Sequence, residues 1–228
     1  MSPKETTFSQ KTVLDAAIAL VREKGWEALT ARGIAKRLKS SVAPVYSAFG
    51  SMDAVERGVL EEARRLLHDK MAVRYTEGSF LNVGVGMVVF ARDEANLFIS
   101  LFHARHSHSD IVGGIFGAIL AGMRADPFLT LLPEASLVRL LRNLKMYTLG
   151  LAAAIVYDLS EDPSTGNIIR QLNNAGNMMI HGEVTGIADA ESPENEAVWT
   201  RLLKEKNIVL PGTEGPECVV KNQTKERP

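Results

Sequence analysis

The chain has a single cysteine, Cys218, which excludes an intramolecular disulfide and fits a reducing cytosol. No uninterrupted apolar run approaches the ~20 residues that a membrane helix needs. Residues 1–12 are polar, so no hydrophobic leader is expected either. These two absences predict a cytoplasmic chain with no membrane partner. Catalytic signatures are missing too: there is no nucleophile elbow, phosphate loop, zinc-protease motif or dinucleotide fingerprint. Gly84-Val85-Gly86 is the nearest approach, but it follows no strand and lacks the third glycine. Neither an enzyme nor a cofactor is expected. Beyond Gly78 no segment alternates with period two, so strands are lacking as well.

Net charge is nearly absent, at −1, but it is unevenly spread. Residues 1–50 hold eight Lys and Arg against four Asp and Glu, a balance of +4. The remaining residues hold eighteen against twenty-three, a balance of −5. A basic first segment on an acidic body suits a nucleic-acid-reading head joined to a body with another task. Apolar residues make up 46 % of the 228, enough for a substantial core. Their spacing is helical: Val13, Leu14, Ala17, Ile18 and Val21 form one stripe that stops at Lys24-Gly25, with Thr7-x-x-Gln10 as a capping box before it. Trp26 follows, and packing of this helix against the next segment is its expected role.

Thr30 to Phe49 reads as two short helices around a tight turn. Ile34, Ala35 and Leu38 share a face, and Thr30 stands where an N-cap belongs. The period breaks at Lys39-Ser40-Ser41. Ser41 then caps a second helix in which Val45 and Phe49 point inward and Pro44 occupies the first turn. Val42, Ala43, Pro44, Tyr46 and Ser47 are left facing outward. Two helices joined in this way have the geometry of a helix-turn-helix. Gly50-Ser51 ends the second helix, and Ser51 caps a long one predicted over 52–75.

Leu29-Thr30-Ala31-Arg32, Ile34-Ala35, Ser41 and Pro44-Val45-Tyr46-Ser47-Ala48-Phe49 resemble the DNA-binding segment of the TetR family of transcriptional repressors, from about Lys11 to about Leu60. Three positions depart from the family pattern: Lys39 replaces the turn glycine, Gly33 an acidic residue, and Met52 a lysine opening the fourth helix. The resemblance implies an all-α, two-domain homodimer that binds a palindromic double-stranded DNA operator and is released by a small-molecule effector of unknown identity. It also implies DNA contacts at Thr30, Arg32, Lys39, Ser41, Val42, Ala43, Pro44, Tyr46 and Ser47. Arg32 is the candidate for a bidentate base contact, with Lys36 and Arg37 as further phosphate candidates. The expected division is a DNA-binding domain at 1–51, a helical effector-binding and dimerisation domain at 52–208, and a flexible tail at 209–228. Helix 52–75 is the mechanical link.

In the second part, helices are expected near 80–93, 95–106, 109–124, 134–158, 163–183 and 194–207, separated at Asp126-Pro127, Leu132-Pro133, Asp162-Pro163 and Ser192-Pro193. Met87, Phe90, Phe98, Phe102, Phe116, Met146 and Tyr147 are candidates to line an apolar effector pocket, with ordinary core as the competing reading. Helices 134–158 and 163–183 are more apolar than one-sided surface helices and are the candidate dimer elements. His103, His106, His108 and Asp110 have a spacing that zinc, nickel or copper accepts. Arg105 opposes a cation, however, and Ser107–Ser109 reads as the junction of two helices, so no metal is expected and loop histidines are the preferred reading.

Overall fold

The computed structural model describes residues 8–102, 104 and 107–188. All regular structure among them is helical, which bears out the all-α expectation. Nine α-helices follow in order: α1 Gln10–Lys24, α2 Ala31–Leu38, α3 Ala43–Phe49, α4 Met52–Met71, α5 Ser79–Asp93, α6 Ala95–Phe102, α7 Ser109–Ala125, α8 Glu134–Val156 and α9 Thr165–Ala188. Short 3-10 turns lie at Trp26–Ala28 and Leu129–Leu131. The chain divides into two compact units, Met1–Ile180 and His181–Pro228. The predicted helix 194–207 and the tail lie outside the described residues. No described helix is long and apolar enough to cross a membrane.

Side chains set the starts of the first helices. Ser9 Oγ accepts from Thr12 N–H at 3.1 Å, Thr30 Oγ1 from Gly33 N–H at 3.0 Å, and Ser51 Oγ from Ala54 N–H at 3.1 Å. Each satisfies one of the orphan donors of a first turn. The cap of α1 is therefore Ser9, two residues after the predicted Thr7. Gly25, at φ 80°, closes that helix by donating to the Val21 carbonyl. The 3-10 turn carrying Trp26 lies against α1 and α6, and Trp26 is half-buried.

α1, α2 and α3 fold over Val13, Ala17, Val21, Ile34 and Val45, all at or near complete burial. α4 leaves this cluster and enters a second core shared with α5 and α6, where Leu60, Leu67, Phe90, Leu97, Phe98 and Leu101 are fully buried. Each such side chain contributes about 1.5–3 kcal/mol. The close packing of α5 on α4 depends on Gly86. A Cβ there would stand 2.4 Å from the Lys70 carbonyl oxygen and 2.5 Å from Met71 Cα. α8 packs across α5.

α4 ends at Met71, short of the predicted residue 75. The side chain of Asn82 explains the difference: its Oδ1 accepts from Tyr75 N–H, Thr76 N–H and Thr76 Oγ1, and its Nδ2 donates to the Thr76 carbonyl. A single buried amide thus holds the 72–78 turn and outcompetes another helical turn. α8 ends near its predicted limit, in a Schellman closure with Asp158 in the left-handed region at φ 57°.

Candidate nucleic-acid interface

The turn between α2 and α3 takes its shape from backbone chemistry at Lys39. This residue has φ 52° and ψ 43°, the left-handed conformation. Its N–H reaches the Lys36 carbonyl at 3.2 Å, and Ser40 N–H reaches the Ala35 carbonyl at 3.0 Å. Both bonds together are a Schellman motif, whose left-handed position usually belongs to glycine. Lys39 thus adopts a left-handed conformation that glycine would take without steric cost. Gly33 has a packing reason as well. A Cβ there would stand 2.8 Å from the Ala28 carbonyl oxygen and 2.9 Å from Leu20 Cδ2, so the tight seat of α2 leaves no room for a side chain.

α3 is anchored by Val45, which is fully buried. Pro44, Ala48 and Phe49 are half-buried, while Ser41, Val42, Ala43, Tyr46 and Ser47 are exposed on one side. One expectation needs correction. Ser41 does not cap α3; Val42 occupies that position, already in a helical conformation, and no side-chain cap bond is made. The proline in the first turn lowers the demand for a cap because it carries no N–H.

The basic residues divide into two groups. Arg37 is held by Glu23 in a bidentate pair, both distances 2.8 Å, and this partner keeps the Glu23 carboxyl below its ordinary range. That pairing uses the guanidinium to fix α2 on α1 and withdraws Arg37 from the phosphate candidates. Arg22 is engaged by Glu94 at 2.8 and 2.6 Å, and Lys11 by Asp15. Arg32, Lys36 and Lys39 are exposed and stand outside these pairs among the described residues. Thr30 and Tyr46 are exposed as well. The sequence had ranked Lys36 and Arg37 alike; only the fold separates them, because Glu23 lies fourteen residues away on another helix.

Two polar clasps tie this region to the helices behind it. At one, Glu94 holds Arg22, and Asn96 Nδ2 donates to the Arg22 carbonyl at 2.8 Å. At the other, Arg57 on α4 pairs with Asp110 on α7 at 3.0 and 3.3 Å. Beside it, Asp53 Oδ1 lies 3.4 Å from both His108 Nε2 and Ser107 Oγ. The guanidinium of Arg57 keeps the Asp110 carboxyl below its ordinary range. Asp110 and His108 therefore serve the junction with α4. His103 and His106 lie outside the described residues, and no group of metal-ligating side chains occurs among the described ones.

The pocket candidates separate in the fold. The Phe98 and Phe102 rings lie 5.0 Å apart, and Phe102 and Phe116 6.1 Å apart, with Lys145 Nζ 4.3 Å above the Phe116 ring. Met87 and Phe90 are buried on α5, and Tyr147 is half-buried. Met146 does not belong with them, since it is 67 % exposed on the outer side of α8. One residue along a helix turns a side chain by about 100°, so neighbours Met146 and Tyr147 cannot both face the same cluster.

Residues 13–55 match the family model for bacterial regulatory proteins of the tetR family. No curated protein sequence matches the chain. Among solved structures, a TetR variant from Acinetobacter baumannii AYE, crystallised in complex with minocycline, is similar in fold. Its TM-score is 0.52 at 19 % identity, over 77 % of this chain and 96 % of that one. The matched segment spans α1 to the start of α4 and includes the exposed residues of α3 and the exposed Arg32, Lys36 and Lys39. Residues 13–55 thus match a tetR-family regulatory segment, and the chain shares an all-α fold with a TetR protein.

Proposed function

We propose that the protein is a homodimeric repressor that holds a palindromic operator through α3 and releases it when a small-molecule effector binds the helices behind. The observation that carries this reading is the exposed set Ser41, Val42, Ala43, Tyr46 and Ser47 at α3, inside a tetR-family segment that also exposes Arg32, Lys36 and Lys39. In that pose Thr30, Lys39, Ser41 and Tyr46 meet phosphates, Arg32 reaches a base edge, and Val42, Ala43, Pro44 and Ser47 face the groove. Residues 1–51 act as the reading domain and 52–208 as the effector and dimer domain. The aromatic group of Phe98, Phe102 and Phe116 is the favoured edge of the effector site.

Support for a dimer comes from where large apolar side chains remain exposed. Among the described residues, Val138, Met146, Tyr157, Leu159 and Met178 belong to α8, the loop after it, and α9, with Met178 75 % exposed. Leu141, Leu144, Leu151 and Ile155 on α8 are only half-buried. A two-fold pairing of these helices would remove that surface from water and set two α3 helices about 34 Å apart, one turn of DNA. An effector that favours a different lean of α4 spoils that spacing. To change occupancy from nearly full to nearly empty, it must prefer the released state by about 5 kcal/mol.

Selection from a random duplex library at two salt concentrations tests the reading. An enriched palindrome, lost with Arg32→Ala or Tyr46→Ala, is the expected result. Weak binding that falls steeply with salt and enriches nothing would leave only phosphate attraction. For the dimer, Met178→Asp is expected to give monomers in sedimentation velocity and to lose the palindrome while keeping its helical circular dichroism.

A further inference from the structure

We infer that α3 reads its half-site through the 5-methyl groups of adjacent thymines, with Val42 and Ala43 as the reading residues. This rests on the operator reading above and adds what the operator must contain. Residues 41–49, SVAPVYSAF, include no Asn, Gln, Lys, Arg, Asp or Glu. A purine is selected in the major groove by a planar amide or guanidinium bonding two of its acceptor and donor atoms. No side chain of α3 can do this. What the helix offers instead is apolar: Val42 is 38 % exposed and Ala43 is exposed beside it at the N-terminal end, while Val45 is turned into the core.

That end is the part of a recognition helix that lies over base edges. The one apolar group that a base pair shows in the major groove is the thymine methyl. Against a G·C pair, Val42 would cover the guanine O6 or the cytosine amino group without replacing the water bound there, and an unreplaced hydrogen bond is costly. Against thymine it covers carbon with carbon. Arg32, Lys36 and Lys39, in the helix and turn before α3, are exposed cations, so attraction to the DNA backbone can bring this otherwise uncharged surface into the groove. Ser47 and Tyr46, one turn further along α3, have single hydroxyls that bond a base edge or phosphate but cannot distinguish bases as strongly as a bidentate pair.

The test uses the enriched palindrome and the full-length protein. Deoxyuridine replaces each thymine in turn, which keeps pairing and O4 but removes the methyl, and affinity is read by fluorescence anisotropy. At one or two adjacent positions per half-site, binding is expected to weaken about fourfold per methyl, the effect of one buried carbon. Val42→Ala, an exposed substitution that spares the fold, should bring the thymine-to-uracil ratio at one of those positions close to one. Uracil tolerated throughout, with 7-deazaguanine or 7-deazaadenine costing tenfold or more, would overturn the inference while leaving the operator intact. Failure to enrich any palindrome would overturn the operator reading, and the methyl reading with it.

Discussion

The first fifty residues and the helices after them are built by different means. α1 and α2, and α4 at the border, each begin with a hydroxyl that bonds a first-turn N–H, from Ser9, Thr30 and Ser51, whereas α3 begins without one. α5, α7 and α8 begin at Gly78, His108 and Pro133 with no side-chain cap bond. Glycine differs in the same way. In the head Gly25 and Gly50 take positive φ where helices stop, while α7 contains Gly113, Gly114, Gly117 and Gly122 with open space where a Cβ would be. Local chemistry therefore specifies the head almost residue by residue. The body is specified by what packs against it, and part of its apolar surface is exposed. In the proposed repressor the reading surface is rigid before it meets DNA, whereas the body is completed by binding an effector and a second copy.

The largest expected break in this comparison lies inside the body, where α5 packs on the end of α4. Gly86→Ala forces a Cβ within 2.6 Å of three backbone atoms at the end of α4. Because backbone cannot rotate aside, the expected loss is about 3 kcal/mol in urea unfolding. A loss below about 1 kcal/mol would mean that α4 and α5 separate more easily than their packing implies. In the head, Thr30→Ala removes the cap of α2 and is expected to cost about 1 kcal/mol. DNA affinity should fall further than that, since the same hydroxyl faces the phosphates in the proposed complex. Equal losses in stability and binding would assign Thr30 to folding alone.

Gly117→Ala should act in the opposite direction to Gly86→Ala, though both residues lie within helices. Nothing stands within 4 Å of the added Cβ, and alanine is favoured over glycine in a helix by about 0.8 kcal/mol. A rise of that size in stability is expected in urea unfolding. Destabilisation instead, accompanied by a weaker dimer, would show that a second copy covers α7, and the proposed interface would have to be extended beyond α8 and α9.

These contrasts also explain what could be read from the sequence. The order of helices, the inward Val45 and the outward Val42, Ala43, Tyr46 and Ser47 follow from spacing alone, since a helical period fixes which residues share a face. The early end of α4 was hidden because its cause, Asn82, is a single polar residue inside the next helix. The pairs Arg22–Glu94 and Arg57–Asp110 span 72 and 53 residues, and no local pattern marks them. Lys36 and Arg37 look equivalent in the sequence, yet Arg37 is held by Glu23. Met146 was misassigned for a related reason: the period shows that α8 has apolar residues on more than one side, but not which side meets α5.

Lys39 is the point where the head departs from its own pattern, and it yields the smallest and most discriminating prediction. A non-glycine residue in the left-handed region costs roughly 1–2 kcal/mol. Lys39→Gly removes that cost but adds about 0.5–1 kcal/mol of backbone freedom to the unfolded chain, so a net gain of about 0.5 kcal/mol is expected in urea unfolding. Operator binding should move the other way. Losing one phosphate contact lowers the slope of log affinity against log salt by about one per head and weakens binding across all sequences alike. Stability up with affinity down would mean that the strained lysine is kept for its charge. If both rose together, Lys39 would not touch the phosphates, and attraction to the backbone would rest on Arg32 and Lys36.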